Sequence, residues 1–213
     1  MKTDDLISMM ATDVAPVDRS LPRLRMVQAL LLGGMASLVL MLMLYGLRPD
    51  LMVIARTPLF WVKLAFPTTL AAGALLVLHR LLHPGLDVGM RWAGVAAPSL
   101  AIWIGSALVL ALAPATERIP LLMGYTWRSC PFNIALLSLP LFCSITWAVK
   151  AMAPTRLRLC GGVAGLLAGS SATMVYCLHC PEMGVPFWGL WYFLGILIPA
   201  AIGLLLGPRL LRW

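Results

Sequence analysis

Long apolar runs alternate with short polar connectors along most of this chain, from about residue 26 to residue 206. Each run approaches the roughly 20 residues that a helix needs to cross the hydrocarbon core of a bilayer. The six runs lie near Met26–Leu47, Leu59–Leu78, Trp92–Ala113, Phe132–Ala151, Leu159–Leu178 and Phe187–Leu206. Because the connectors are short, consecutive helices must run antiparallel. The pattern predicts an all-α integral membrane protein with six transmembrane helices in one bundle.

Composition agrees with a membrane protein and excludes a soluble domain. Hydrophobic residues make up 61% of the 213 residues, charged residues make up 11%, and the mean hydropathy is +0.92. A soluble domain of this length needs a more polar surface. The net charge of +8 does not indicate nucleic-acid binding, because no basic run interleaved with aromatics lies outside the apolar segments. We therefore expect contact with membrane lipid and no direct nucleic-acid partner.

The distribution of basic residues predicts that both chain termini are cytoplasmic. The 16 Lys and Arg residues flank the predicted helices at one end of the bundle or at the other. Eleven belong to the first end: Lys2, Arg19, Arg23, Arg25, Arg80, Arg91, Lys150, Arg156, Arg158, Arg209 and Arg212. Five belong to the second end: Arg48, Arg56, Lys63, Arg118 and Arg128. Since short cytoplasmic loops are enriched in Lys and Arg, the first end is predicted to be cytoplasmic.

This orientation divides the chain into three predicted parts. Residues 1–25 form a cytoplasmic N-terminal segment, residues 26–206 the six-helix transmembrane domain, and residues 207–213 a short basic cytoplasmic tail. The composition gives no sign of a linker or of a second folded domain.

The N-terminal segment opens with a sequence that is typical of a short amphipathic helix. Thr3 is a suitable N-cap, and Asp4 and Asp5 favour the positive start of a helix. An apolar stripe follows on one face, formed by Leu6, Ile7, Met10 and Val14. The acidic first turn disfavours an anionic membrane surface. The stripe therefore fits either a groove on a cytoplasmic partner or the underside of the bundle.

Three of the five cysteines, Cys130, Cys177 and Cys180, lie close to the predicted outer ends of the helices. Cys130 and Cys180 each precede a proline, and the two Cys-Pro steps could meet where the fourth and sixth helices begin. The residues are compatible with a structural disulfide, with redox or metal sensing, or with unrelated single thiols. A soft-metal site would combine Cys130 and Cys180 with His179, and with Glu182 or Cys177.

Little else in the sequence indicates chemistry. Lys63 lies about one turn inside the second apolar run, where we expect it to reach the outer surface and to pair with Glu182 or Glu117. The apolar runs carry no Asp or Glu, which disfavours an ion-coupled transporter. No hydrolase, kinase or phosphate-loop motif is present. We therefore predict that the protein is not an enzyme, has no catalytic residues and needs no cofactor.

The N-terminal string Met-Lys-Thr-Asp-Asp-Leu-Ile, followed by Ala11-Thr12-Asp13 and Pro16-Val17, resembles the signature of NrsF-type membrane anti-sigma factors. The resemblance extends over essentially the whole chain, through the six helices, Pro58 with Phe60-Trp61 and Lys63, and the cysteines at 130 and 180. These proteins are six-helix negative regulators of extracytoplasmic-function sigma factors in the inner membrane of proteobacteria.

The resemblance implies a function for the N-terminal segment and for the cysteines. The N-terminal segment would hold a sigma factor away from RNA polymerase through residues that include Thr3, Asp4, Asp5, Leu6, Ile7 and Met10. A periplasmic metal or oxidative signal at Cys130 and Cys180 would release it. Cys177 leaves open which cysteine partners Cys130, and the oligomeric state is also open. The competing interpretations are a membrane thiol–disulfide oxidoreductase that uses quinone and a small metal exporter.

Overall fold

The computed structural model describes residues 3–11, 20–83 and 85–212, with the backbone alone for Leu6, Met10 and Ala11. Every regular element within these residues is a helix. In chain order they are α1 (Thr3–Ala11), α2 (Leu21–Leu44), α3 (Leu51–Ile54), α4 (Pro58–Leu81), α5 (Gly89–Leu112), α6 (Ala115–Met123), α7 (Cys130–Lys150), α8 (Leu157–Tyr176) and α9 (Val185–Leu210). The first turn of α5 is a 3-10 turn, and α9 contains a π-helical turn at Trp188–Tyr192.

Six helices among the described residues are long and apolar enough to cross a membrane: α2, α4, α5, α7, α8 and α9. They correspond one to one with the six apolar runs, so the prediction of six long apolar helices is confirmed. Their ends differ from the predicted ends by up to five residues. Helix α2 begins at Leu21 rather than near Met26, because Pro22 in its first turn is compatible with helix initiation. Helix α9 continues to Leu210, past the predicted end at Leu206.

Helix α8 is the centre of the bundle and packs against α4, α7 and α9. In its most apolar stretch 67% of the residues are buried, compared with 6% in α5. Glycines make the contact between α8 and α9 close. A Cβ atom on Gly165 would lie 2.0 Å from the carbonyl oxygen of Pro199, and one on Gly161 would lie 2.1 Å from that of Gly203. Such small-residue stripes let the backbones of membrane helices approach each other.

The remaining long helices pack around this centre. Helix α2 lies mainly on α7, where Gly33 faces Leu141 and Ser144. Helix α5 lies against α4 and against the start of α9. The π turn in α9 presents a main-chain carbonyl to α5, since the Trp103 indole donates a hydrogen bond of 3.0 Å to the oxygen of Gly189. Turns of this kind are frequent at functional sites.

The bundle has two ends with different residues. At the end that we call the cysteine end, α4 and α7 begin and α8 passes into α9 through residues 177–184, which we call the cysteine loop. At the opposite end, the arginine end, α2 begins, α9 ends, and the connectors between α4 and α5 and between α7 and α8 lie. The arginine end carries Arg23, Arg80, Arg91, Arg156 and Arg158.

Candidate functional site

The cysteine end brings together the two cysteines that precede prolines. Cys130 is the first residue of α7 and Cys180 lies in the cysteine loop, and both side chains are completely buried. The two thiols are neighbours, close enough to influence each other's protonation, and both are free. The structure therefore places these two residues side by side, as the two Cys-Pro steps suggested. Their role in sensing stays a prediction.

Lys63 of α4 is hydrogen-bonded to the main chain of the cysteine loop. Its side chain is completely buried, and its Nζ atom donates hydrogen bonds to the main-chain oxygens of Cys180 at 2.8 Å and Glu182 at 2.9 Å. The expectation that Lys63 reaches the outer surface and pairs with a carboxylate is wrong. Its acceptors are carbonyl groups, because the loop folds over the end of α4 and covers the lysine.

Arg48, in the connector after α2, is a second buried cation at the same loop. Its Nη1 atom lies 3.2 Å from the carbonyl oxygen of Cys180, which therefore accepts hydrogen bonds from both Arg48 and Lys63. The Nε and Nη2 atoms of the guanidinium donate to the two carboxylate oxygens of Asp50, at 2.6 and 2.9 Å. This hydrogen-bonded pair holds the pKa of the Asp50 carboxyl below its usual range.

Glu182 fixes the cysteine loop to the connector before α7. One of its carboxylate oxygens accepts hydrogen bonds from the main-chain N–H groups of Tyr125 at 2.7 Å and Thr126 at 3.1 Å, and from the Thr126 hydroxyl at 3.3 Å. Gly124 precedes them with a φ of +56°, and a Cβ atom there would lie 2.7 Å from the Glu182 carboxylate. Only glycine fits this approach without a shift.

His179 points away from the thiols. Its Nδ1 atom lies 3.0 Å from the carbonyl oxygen of Gly46, and its ring packs between those of Tyr45 and Tyr176, with centroid distances of 5.2 and 5.8 Å. In the part of the chain that the structure describes, no three His, Cys, Asp or Glu side chains are grouped to hold a metal ion. A metal site that includes His179 and Glu182, with or without Cys177, would require both to leave their present partners, and it stays a prediction.

The three thiols of the cysteine end differ in acidity. The neighbouring Cys130 thiol, together with the nearby Lys63 ammonium, lowers the pKa of Cys180 below its usual value despite its burial. Burial raises the pKa of Cys177 to about 12. Of the three, Cys180 is thus the thiol that ionises most readily, and the thiolate is the reactive form.

A ring of aromatic residues closes the site beneath the thiols. The Tyr45 hydroxyl donates to Asn133 at 3.0 Å, and Asn133 lies 3.5 Å from the hydroxyl of Tyr176. Tyr192, the last residue of the π turn of α9, is fully buried, and its hydroxyl lies beside the thiols of Cys177 and Cys180. The sequence analysis missed Arg48 and Tyr192. The Arg-Pro-Asp spacing at residues 48–50 was an available signal for the first, whereas nothing in the sequence singles out the second.

The N-terminal helix is the other candidate site. The predicted short helix is confirmed: α1 begins at Thr3 and ends at Ala11. Thr3, Asp4, Asp5 and Ile7 are exposed, Ile7 with 60% of its surface. The side chains of Leu6 and Met10 and all of Val14 lie outside the described residues. The use of this segment in partner binding stays a prediction.

Comparison with known proteins agrees with the resemblance seen in the sequence. Residues 10–213 match the family NrsF, described as negative regulator of sigma F. The chain is 47% identical to a protein of Azospira oryzae named probable anti-sigma-F factor NrsF, over the full length of both chains. It is 37% identical to the anti-sigma-F factor NrsF of Caulobacter vibrioides, again over the full length of both. No solved structure matches the chain.

Proposed function

We propose, given that this chain belongs to the NrsF family of anti-sigma factors, that it is a bacterial inner-membrane protein which holds an extracytoplasmic-function sigma factor and releases it when Cys130 and Cys180 are oxidised. The observation that carries the proposal is the proximity of these two buried thiols, at the end of the bundle opposite to the start of α2 and the end of α9. The sigma-binding segment is residues 1–25, and the signal arrives from the periplasm.

The orientation is supported by the basic residues. Among the described residues, nine Lys and Arg belong to the arginine end and five to the cysteine end. Since positive residues favour the cytoplasmic side, the arginine end faces the cytoplasm and the cysteine end faces the periplasm. The periplasm is an oxidising compartment, where a thiol pair can respond to a change in redox conditions.

The exposure of α1 supports its use in sigma binding. Asp4 and Asp5 in its first turn offer negative charge to a basic surface, and Ile7 belongs to the apolar stripe that an amphipathic helix lays into a groove. Helix α1 precedes α2, which begins at the arginine end, so this orientation puts it in the compartment where sigma factors work.

A disulfide fits the site better than a metal ion. The thiolate of Cys180 would attack an oxidant, such as a disulfide compound, whose S–S bond breaks and releases one thiolate. That leaving thiolate takes the proton of Cys130, whose sulfur then attacks the mixed disulfide and releases the second thiolate. The two protein sulfurs lose two electrons, which the oxidant gains. A metal would need further ligands, and His179 and Glu182 have other partners.

Transmission across the bundle requires only a modest free energy. Weakening sigma binding by 100- to 1000-fold corresponds to about 2.7–4.1 kcal/mol of coupling. A disulfide typically contributes about 2–4 kcal/mol. Cys130 begins α7 and Cys180 lies five residues before α9, so a covalent bond between them joins the starts of two long helices. We infer that relative shifts of α7 and α9 carry the signal to the arginine end.

The test uses the full-length protein in lipid nanodiscs together with the sigma factor encoded beside it. Affinity is measured before and after oxidation with 4,4′-dithiodipyridine. We expect oxidation to weaken binding at least about 100-fold in the wild type. Cys130→Ser and Cys180→Ser should bind the sigma factor normally and lose the response. Cys143→Ser is the matched control, since Cys143 lies on α7 away from the cysteine end and should leave the response intact.

Three results would contradict the proposal or replace part of it. Release by Cd²⁺ without disulfide formation would make the site a metal sensor. Quinone reduction by the purified protein would favour the oxidoreductase, although that reaction normally needs two communicating cysteine pairs. A topology reporter that places residue 1 in the periplasm would exclude sigma binding altogether.

A further inference from the structure

The ammonium group of Lys63 is buried without a carboxylate partner. Its side chain is completely buried, and its hydrogen-bond acceptors are the two carbonyl oxygens of the cysteine loop. The titratable groups that face it are the thiols of Cys180, Cys177 and Cys130 and the guanidinium of Arg48. Among these groups, only a thiol can become an anion.

The nearby carboxylates are already committed to other partners. Asp50 is paired with Arg48, and the Glu182 carboxylate binds the main-chain N–H groups of Tyr125 and Thr126. Carbonyl groups solvate a buried ammonium but do not neutralise its charge, and a buried charge without an opposite charge is costly. As long as Lys63 is protonated, its counter-charge has to come from the thiol cluster.

Cys180 is the thiol best placed to supply that charge. Lys63 binds the main-chain oxygen of Cys180 itself, so the ammonium is fixed to the residue that bears the sulfur. The Cys130 thiol is the neighbour of Cys180 in the cluster. The Lys63 ammonium further lies 5.6 Å from the centre of the Tyr192 ring, whose face attracts a cation but carries no net charge.

We propose that Lys63 is a positioning residue that stabilises the thiolate of Cys180 and thereby sets how readily the Cys130–Cys180 pair is oxidised. The inference rests on the proposed function, because it assigns a role within the redox pair. Stabilising the thiolate stabilises the reduced state, so the disulfide becomes easier to reduce, as in oxidoreductases with an acidic thiol. The pair then stays reduced until the periplasm becomes more oxidising.

Oxidation also removes the charge pair of Lys63 and Cys180, and we expect its loss to move the cysteine loop. Oxidation turns one thiolate and one thiol into a disulfide, and the negative charge and the proton leave with the two reduced halves of the oxidant. Lys63 is then left in the protein interior with carbonyl partners alone. Hydrating that charge requires the cysteine loop to lift from the end of α4, which breaks the bonds to Cys180 and Glu182.

The experiment measures an equilibrium rather than a rate, because both sulfurs are buried and a rate would also report access. Full-length protein in nanodiscs is equilibrated in glutathione buffers of graded potential at pH 7. Free thiols are then blocked with a maleimide, and the Cys130–Cys180 disulfide is quantified by peptide mass spectrometry. Wild type is compared with Lys63→Met, which removes the charge, and with Lys63→Arg, which keeps it.

We expect Lys63→Met to shift the equilibrium toward the disulfide by about tenfold, which corresponds to about 30 mV for a two-electron couple. Lys63→Arg should stay within about threefold of the wild type. Arg48→Gln is the matched control for loop anchoring, because Arg48 also donates to the Cys180 carbonyl. It should likewise leave the equilibrium within about threefold.

The outcomes separate the two proposals. If the wild type forms no Cys130–Cys180 disulfide at any potential, the proposed redox sensor is wrong, and the role of Lys63 falls with it. If the disulfide forms but Lys63→Met matches the wild type, only the role of Lys63 is wrong. An equal shift in Lys63→Met and Arg48→Gln would mean that Lys63 acts only by anchoring the loop. Should Lys63→Met fail to fold, Lys63→Gln removes the charge and keeps an NH2 donor group, with the same expected shift.

Discussion

The two ends of the bundle differ in how their charged side chains are held. At the cysteine end, Lys63 and Arg48 are buried, and both donate to the carbonyl oxygen of Cys180. At the arginine end, the basic side chains of Arg23, Arg156 and Arg158 are exposed. Arg56, Arg118 and Arg128 are exposed at the cysteine end as well, but none of the described basic side chains at the arginine end is buried. The difference therefore lies in the two buried cations that fix the cysteine loop.

This difference indicates which end can respond and which end can bind. A buried charge stays in place as long as its partners do, so a chemical change among those partners can force a rearrangement. Charges on an exposed surface carry little desolvation cost, and the surface is accessible to a partner. The cysteine end thus has the properties of a signal input, and the arginine end, with α1 before it, those of an output. The following predictions test this division.

The largest effect should come from the output side. Deletion of residues 2–13, or Leu6→Asp, should weaken sigma binding more than about 100-fold, because either change removes the apolar stripe. Met9→Asp is the matched control: it adds the same charge to α1 at an exposed position outside the stripe of residues 6, 7, 10 and 14. It should reduce binding much less. Binding is measured by pulldown from detergent-solubilised membranes.

Membrane insertion should be unchanged in all three variants, since the six long helices are intact. A sigma factor that still binds after the deletion would show that the output surface lies elsewhere, on the arginine end of the bundle itself. Equal losses from Leu6→Asp and Met9→Asp would mean that charge, and not the stripe, determines binding.

A smaller effect should come from the contact that links the two ends. Gly165→Ala places a methyl group 2.0 Å from the carbonyl oxygen of Pro199, so the backbones of α8 and α9 must separate. We expect it to lower the free energy of unfolding by about 1–3 kcal/mol. Gly34→Ala adds the same methyl group in α2, where no atom lies within 4 Å, and should be neutral or stabilising by up to about 1 kcal/mol.

Unfolding of the two glycine variants is compared in mixed micelles by circular dichroism. A loss of stability in Gly34→Ala as large as that in Gly165→Ala would contradict the close packing of α8 and α9. If Gly165→Ala also reduces the release of the sigma factor on oxidation, the α8–α9 contact takes part in transmission.

The sequence was sufficient for the parts of the fold that depend on local pattern. Six apolar runs of spanning length became six long apolar helices, and the two Cys-Pro steps came together. The ends of a membrane helix depend on prolines and on hydropathy within a few residues along the chain. The predicted ends therefore differ from the observed ends by five residues at most. The stripe of Gly161, Gly165 and Gly169 was also readable at a spacing of four, although only the structure shows that it faces α9.

The environment of Lys63 was not readable from the sequence. Hydropathy places a lysine at a depth in the bilayer, but it does not show whether a loop 117 residues away along the chain covers it. The shallow position favoured an outward-reaching side chain, whereas the fold supplied two carbonyl acceptors above it. The pairing of Arg48 with Asp50 had a signal in their spacing, but its bond to the cysteine loop did not, since the acceptor is the main chain of Cys180 and main-chain acceptors leave no sequence signal.

The smallest effect should come from Asp50, the half-exposed partner of Arg48. Its pKa is lowered in the folded protein, so the pair contributes its stability above the unfolded pKa of about 4 and loses it as the pH falls through the lowered value. Asp50→Asn should therefore unfold at a slightly lower temperature than the wild type at pH 7, and the two curves should converge at about pH 3. Because the carboxylate is 52% exposed, solvent screening keeps the difference below that of Gly165→Ala. A difference that persists at low pH would mean that Asp50 acts through packing, and the buried cations of the cysteine end would then need no support from its charge.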